Sequence, residues 1–150
     1  MKIVIGSDHA GLDLKKEVGG SLGALGHEVH DVGAFENVSV DYPDYAAQVA
    51  RAVQGGTHAL GVLVCGTGIG MSIVANKFKG VRAALCTTEF EARMSRAHND
   101  ANVLCLGQRV VGAGLGQAIA KVFVETAFEG GRHQKRVEKI ADAEKENGRG

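Results

Sequence analysis

Cys65-Gly66-Thr67-Gly68-Ile69-Gly70-Met71-Ser72 is the segment richest in chemistry. Its alternate glycines follow an aliphatic run, so the backbone can turn its N–H groups toward a common point, and a helix starting there adds its positive end. Such a nest holds an anion, either a phosphate or the oxyanion that develops during a reaction. Cys65 stands at its rim, where a thiolate is favoured and can serve as base or nucleophile near neutral pH. A plainer reading also stands: a glycine turn that lets helix and strand pack closely, beside an inert buried thiol. Cys86 and Cys105 are the controls, the first ending a strand with no glycine nest after it, the second lying within an apolar strand. Familiar nucleotide loops fail here. A Walker loop needs Lys-Ser/Thr where Met71 stands, a dinucleotide GxGxxG needs glycine at 71, and a cysteine-phosphatase loop needs an arginine well before Arg82.

Asp8-His9 ends the first strand and His98-Asn99-Asp100 precedes the last, and both groups are expected at one edge of the sheet. His98 can transfer protons near neutrality. A metal held by Asp8, His9, Cys65 and His98 lacks helix-spaced or CxxC ligand pairs, so no metal is expected. Arg132 and Arg136 are four residues apart and share one helix face; with Arg109 they can grip a phosphate dianion, although a solvated charged face explains them equally well. In Asp41-Tyr42-Pro43-Asp44-Tyr45 the proline fixes a turn, Asp44 fits a helix N-cap, and Tyr42 is a pocket wall or a packing anchor. His27, His30 and His58 read as surface residues.

Short apolar strands are predicted at 2–6, 27–32, 59–64, 81–85 and 102–106, alternating with helices at 12–25, 45–53, 70–75, 89–97 and 115–128. The strands are too uniformly apolar to have a wet face, which implies a parallel sheet covered on both sides: one doubly wound α/β domain over residues 1–150. Such sheets bind ligands beyond the carboxyl ends of their strands, where the strand order reverses. A charged helix over 132–145 has too little apolar face for its own core and is expected to pack on another copy of the chain.

Composition narrows the function. The chain has 150 residues, 17 Lys+Arg against 17 Asp+Glu, 45% apolar residues and 22 Gly beside one Pro. Neutral charge removes the general pull toward nucleic acid or anionic lipid, and no apolar run reaches the roughly 20 residues that span a bilayer. Three cysteines without CxxC spacing fit free thiols in a reducing, cytoplasmic setting.

Five segments then occur in order and spacing: GSDHAG at 6–11, DYPDYA at 41–46, CGTGIGMSIVANKFKGVRAALC at 65–86, HNDANVLCLGQRVVG at 98–112 and EGGRHQKRVE at 129–138. Together they resemble the ribose-5-phosphate isomerase type B family, which also includes galactose-6-phosphate and allose-6-phosphate isomerases. The resemblance implies a Rossmann- or flavodoxin-like fold, a homodimer or dimer of dimers, no cofactor, and interconversion of ribose 5-phosphate and ribulose 5-phosphate. It implies Cys65 as the base that moves a proton between C2 and C1, and His98, aided by Thr67, as the group that opens the furanose ring. Asp8, Asn99 and the amides of Gly66, Gly68, Ile69 and Gly70 would bind sugar oxygens and the enediolate, with Tyr42 closing the pocket. His9, Arg109, Arg132 and Arg136 would hold the phosphate, the last two, with His133 beside them, arriving from a partner subunit. One family branch replaces the cysteine and places a glutamate four positions later; Cys65 and Ile69 put this chain in the cysteine branch. Three rivals stay open: a six-carbon aldose phosphate as substrate, a non-catalytic sugar-phosphate or nucleotide module, and a metal-dependent isomerase.

Overall fold

In the computed structural model, which describes residues 1–148, five strands form one all-parallel sheet: β1 Lys2–Ser7, β2 Glu28–Asp31, β3 Leu60–Cys65, β4 Ala83–Leu85 and β5 Val103–Gly107. Their spatial order is β2-β1-β3-β5-β4. The order reverses between β1 and β3, so the carboxyl ends of these two strands flank the natural ligand crevice. Six α-helices cover the sheet: α1 Leu12–Ala24, α2 Tyr42–Gln54, α3 Ile69–Ala75, α4 Glu89–Asn99, α5 Ala113–Glu125 and α6 Gln134–Glu146. No helix among the described residues is long and apolar enough to cross a membrane.

Because strand side chains alternate, each strand feeds two cores. Ile3, Ile5, Val62, Val64, Leu104 and Leu106 pack with α1, α4 and α5 on one face, around the fully buried Phe123. Val4, Leu63, Val103 and Cys105 face α2 and α3 on the other, with Val49 and Met71. This is why the strands read as unbroken apolar runs. α1 sits on the first face through Leu14, Val18 and Leu22. It also carries Gly19, Gly20 and Gly23, and at Gly20 and Gly23 no atom lies within 4 Å of a would-be Cβ.

Several element ends differ from the expected ones. α2 starts at Tyr42, three residues early: Asp41 is its N-cap residue, in extended backbone, and Asp44 lies in the first turn, its amide donating to the Asp41 carbonyl at 3.3 Å. Asp44 is therefore not the cap; its carboxylate complements the positive helix start instead. α5 covers 113–125 rather than 115–128, because Thr126 turns extended and its carbonyl accepts from Arg96 Nε at 3.3 Å. β4 is shorter than 81–85, and α4 runs on to Asn99 before Asp100 takes a left-handed conformation with φ 45°. α6 has no buried residue, as its charged sequence implied; it still rests on its own chain, Glu144 accepting the Gly80 amide at 3.1 Å. His30 and His58 pair on the surface at 3.4 Å, as expected of exposed histidines.

Gly11 joins the β1 exit to α1 directly over β3. A Cβ there would lie 2.5 Å from the Val64 carbonyl oxygen and 2.9 Å from the Cys65 nitrogen, both rigid backbone. Gly11→Ala is expected to destabilise the fold by about 1–3 kcal/mol, the usual cost of overpacking. Urea denaturation checks this, and a variant as stable as the parent would refute the close approach.

Candidate active site

Asp8, His9, Tyr42, Cys65, Gly66, Thr67, Gly70 and Arg109 line one cleft of about 290 Å³ at the carboxyl edge of the sheet. Asp8 directly follows β1 and is 7% exposed. Its Oδ1 accepts from the amides of Ala10 at 2.9 Å and Gly11 at 3.2 Å, which closes the short 3₁₀ turn at His9–Gly11 and leaves Oδ2 for a ligand. His9 Nδ1 accepts from the Val40 amide at 3.2 Å.

Cys65 is the last residue of β3 and 5% exposed; it lines the cleft and also packs in the core on the α2 and α3 side. Sγ accepts the Gly68 N–H at 3.1 Å. The other thiols behave as controls should. Burial pushes Cys86 up to about 11, and burial together with the charges of Cys65 and Cys86 pushes Cys105 well above the ordinary thiol range. Gly68 is left-handed, with φ 78°, and caps α3. The Ile69 amide donates to Thr67 Oγ1 at 3.3 Å, leaving the Thr67 hydroxyl proton available to a ligand oxygen. Two of the loop amides expected to face substrate, those of Gly68 and Ile69, are thus taken up inside the loop.

The glycines here serve packing and chemistry together. A Cβ at Gly107 would lie 2.6 Å from the Thr67 carbonyl, and one at Gly70 would lie 2.6 Å from the Tyr42 ring. The β5 exit is tied to the loop through the Gln108 amide to the Cys65 carbonyl, 2.9 Å, and the Arg109 amide to the Gly66 carbonyl, 3.0 Å. Arg109 is thereby held at the mouth of the cleft.

His98, Asn99, Arg132 and Arg136 are elsewhere. Gly61 of β3 pairs with Val103 of β5, and Cys65 with Gly107. Residues 98 and 99 precede Val103, so they lie at the amino edge of the sheet, about 13 Å of strand away from Cys65. The expectation that His98-Asn99 shares an edge with Asp8-His9 is therefore corrected: a helix leading into a parallel strand must end at that strand's beginning. The 129–136 segment is fastened at the same edge, the Glu129 amide donating to the Ala97 carbonyl at 3.0 Å.

At that amino edge His98 stacks on His133, with ring centroids 4.1 Å apart and planes within 11°. Arg132 Nε donates to His133 Nε2 at 3.3 Å, and Arg136 Nη1 is 3.5 Å from its Nδ1. Glu129 Oε2 lies 3.5 Å from His133 Nε2 and 3.9 Å from His98 Nε2. His133 is 4% exposed, and its pKa is lowered first by burial, then by His98 and the two arginines, against a smaller opposing pull from Glu129. Glu129 was not anticipated; its only sequence signal was its place four residues before His133. The ligand atoms of His98, Glu129 and His133 lie within 4.8 Å of one another, close enough for a metal. However, a guanidinium already occupies Nε2 and two cations flank the ring, a setting built for an anion. Asp8, His9 and Cys65 lie at the opposite edge from His98, so these four cannot share a metal within one chain.

The profile of the Ribose/Galactose Isomerase family matches residues 3–140. The chain is 50% identical over 143 residues to the ribose-5-phosphate isomerase B of Escherichia coli, covering 95% of this chain and 96% of that one. Among solved structures it is similar to the ribose-5-phosphate isomerase B of Clostridium thermocellum, with TM-score 0.96, 52% identity, and 98% and 99% of the two chains covered. It is also similar to that of Mycoplasma genitalium with bound ribulose-5-phosphate, with TM-score 0.93, 45% identity and 97% of both chains covered.

Because folding holds His133 below its ordinary 6.5, the native chain binds fewer protons than the unfolded one in that range. Its contribution to stability is complete above 6.5 and is lost as pH falls from there through the folded pKa. Thermal midpoints measured from pH 7.5 down to about 5 should fall more steeply in the parent than in His133→Asn. Equal slopes would contradict the burial of a neutral imidazole.

Proposed function

The chain belongs to the ribose/galactose isomerase family, and on that premise we propose that it interconverts D-ribose 5-phosphate and D-ribulose 5-phosphate through an enediolate. The observation that carries this reading is Cys65 Sγ, bonded to an amide in a cleft that also holds Asp8, His9, Thr67 and Arg109. That cleft joins a base to a site for a polar, anionic ligand.

Aldose–ketose isomerisation moves one carbon-bound hydrogen between neighbouring carbons. In the proposed sequence, His98 protonates the ring oxygen as its bond to C1 breaks, and the proton of the C1 hydroxyl leaves by way of the Thr67 hydroxyl to solvent, giving the open aldehyde. Cys65 thiolate then removes the proton from C2, the C–H electron pair forms the C1=C2 double bond, and negative charge collects on O1. The thiol returns the proton to C1 as the O2 proton passes to O1, so that C2 becomes the ketone carbonyl and O1 a hydroxyl. Amides of the Gly66–Gly70 loop not engaged within it, with Asp8 and Asn99, bind the sugar oxygens; one lost oxyanion donor in a comparable site costs roughly 3 kcal/mol. Arg109 and His9 hold the phosphate from the carboxyl side, and Tyr42 covers the cleft.

The sheet divides this machinery. His98, Asn99, Arg132, Arg136 and His133 reach a cleft only from a second copy, and a two-fold pairing that sets the carboxyl edge of each chain on the amino edge of the other builds two complete sites. Exposed apolar side chains frame the carboxyl edge in support: Ile69 51%, Ile73 55%, Leu85 37%, Phe90 69% and Val110 54%. The α6 helix, with nothing buried, is further surface for such a pairing or for a dimer of dimers. Three free cysteines fit a cytoplasmic setting.

Cys65→Ala and His98→Asn are each expected to abolish turnover. Mixed in equal amounts and allowed to exchange, they should recover about a quarter of parental activity, because half of the pairs are mixed and each mixed pair holds one intact site. Recovery is read with ribose 5-phosphate as substrate. An active Cys65→Ala would remove the base from its role, and no recovery on mixing would remove the shared site.

A further inference from the structure

Lys15 is among the largest fully buried side chains of the described residues, 1% exposed on α1 and outside the cleft. An ammonium tolerates such burial only when its protons are engaged. Nζ donates to Asp31 Oδ1 at 2.8 Å and to the Ala34 carbonyl at 2.6 Å, and it lies 4.9 Å from the centre of the Phe35 ring. Asp31 Oδ1 also accepts the Gly33 amide at 2.8 Å. All these partners belong to β2 or to residues 32–41, the connection from β2 to α2. The Ser7 amide and carbonyl clasp the same connection, through Gly33 at 2.6 Å and Ala34 at 2.7 Å. Beyond the clasp, residues 35–39 are exposed, and the connection then meets the site twice: at the Val40 amide on His9 and at Tyr42 against Gly70.

We infer that Lys15 is a positioning residue for His9, pinning the 32–41 connection so that the Val40 amide selects the imidazole tautomer. An imidazole nitrogen that accepts a hydrogen bond carries no proton. With Nδ1 accepting from Val40, the neutral ring bears its hydrogen on Nε2, the nitrogen left for a ligand. A phosphate or sugar oxygen needs a donor, and Nε2–H supplies one already oriented. Released from the clasp, the ring would populate both tautomers, and only one of them presents a donor. The inference rests on the isomerase reading for the identity of the ligand, but not for the tautomer itself.

Nitrogen-15 NMR of the His9 ring tests it directly. The intact protein should show an unprotonated Nδ1 and a protonated Nε2. The double variant Lys15→Met, Asp31→Asn removes both charges and orphans neither; it should mix the tautomers and lower kcat/KM about tenfold or more, as displaced positioning groups do. Leu22→Ala, a core change on the same helix, serves as the control for lost stability and should leave the His9 spectrum and kcat/KM near those of the parent. Lys15→Met alone, which leaves the half-exposed Asp31 carboxylate still bonded to the Gly33 amide, should move both readouts the same way, and it decides the matter if the double variant does not fold. A proton on Nδ1 in the intact protein, or an unchanged His9 spectrum in a folded clamp variant, overturns the inference. Absence of isomerase activity in the parent would defeat the proposed function instead, while the spectrum would still judge the clamp.

Discussion

In an all-parallel sheet, a residue that enters a strand and one that leaves a neighbouring strand are kept apart by the strands themselves. The β3–β5 register makes that constraint concrete here: Gly61 opposite Val103 at one end, Cys65 opposite Gly107 at the other. Everything about the site follows from it. Asp8, Cys65 and Arg109 leave β1, β3 and β5 and meet; His98 and Asn99 enter β5 and cannot join them in the same chain. The 129–136 segment is bound to the end of α4 and shares its edge. A single fold thus carries a sulfur-and-amide half and an imidazole-and-guanidinium half on opposite rims.

Within the first half, precision comes from backbone meeting backbone. Gly11 lies over Val64, Gly107 over Thr67, and Gly70 under Tyr42, each too close for a methyl group. These approaches hold the Cys65 loop between its neighbours, and the Gly68 amide can then reach the sulfur. The three thiols differ in their surroundings. Cys105 is two residues before the end of β5 and wholly enclosed, Cys86 follows β4 and is 1% exposed, and only Cys65 combines a place in the cleft with an amide donor. At the other rim His133 is enclosed beside two guanidiniums and stacks on His98.

Much of this was legible in the residues. The alternation of apolar runs with helical stripes announced five parallel strands, and the glycines after the third run announced the loop that now holds the sulfur. Strand polarity also makes the placement of His98 legible, since a residue ahead of a parallel strand belongs at the amino edge, whereas Asp8-His9 follows a strand and belongs at the carboxyl edge. Other features are non-local. No spacing revealed that β5 inserts between β3 and β4, or that Arg96 draws Thr126 out of the helical pattern. Lys15 stands in Lys15-Lys16-Glu17, which reads as a solvated turn of helix, and its burial depends on a carboxylate from β2. Asp44 looked like a cap because it precedes the apolar stripe, yet the helix starts three residues earlier, at Tyr42, with Pro43 in its first turn.

α1 joins two of these themes. It is the helix richest in glycine, and two of its glycines face open space, so its own propensity for helix is low and its order comes from Leu14, Val18, Leu22 and the Lys15 clasp. In native-state hydrogen exchange, segments with weak intrinsic order open before the rest of a domain does. Here such a breathing motion would withdraw Lys15 and unfasten His9 together, so fraying of one helix and loss of ligand grip become a single event. By linkage, any ligand gripped through His9 quiets that helix as well.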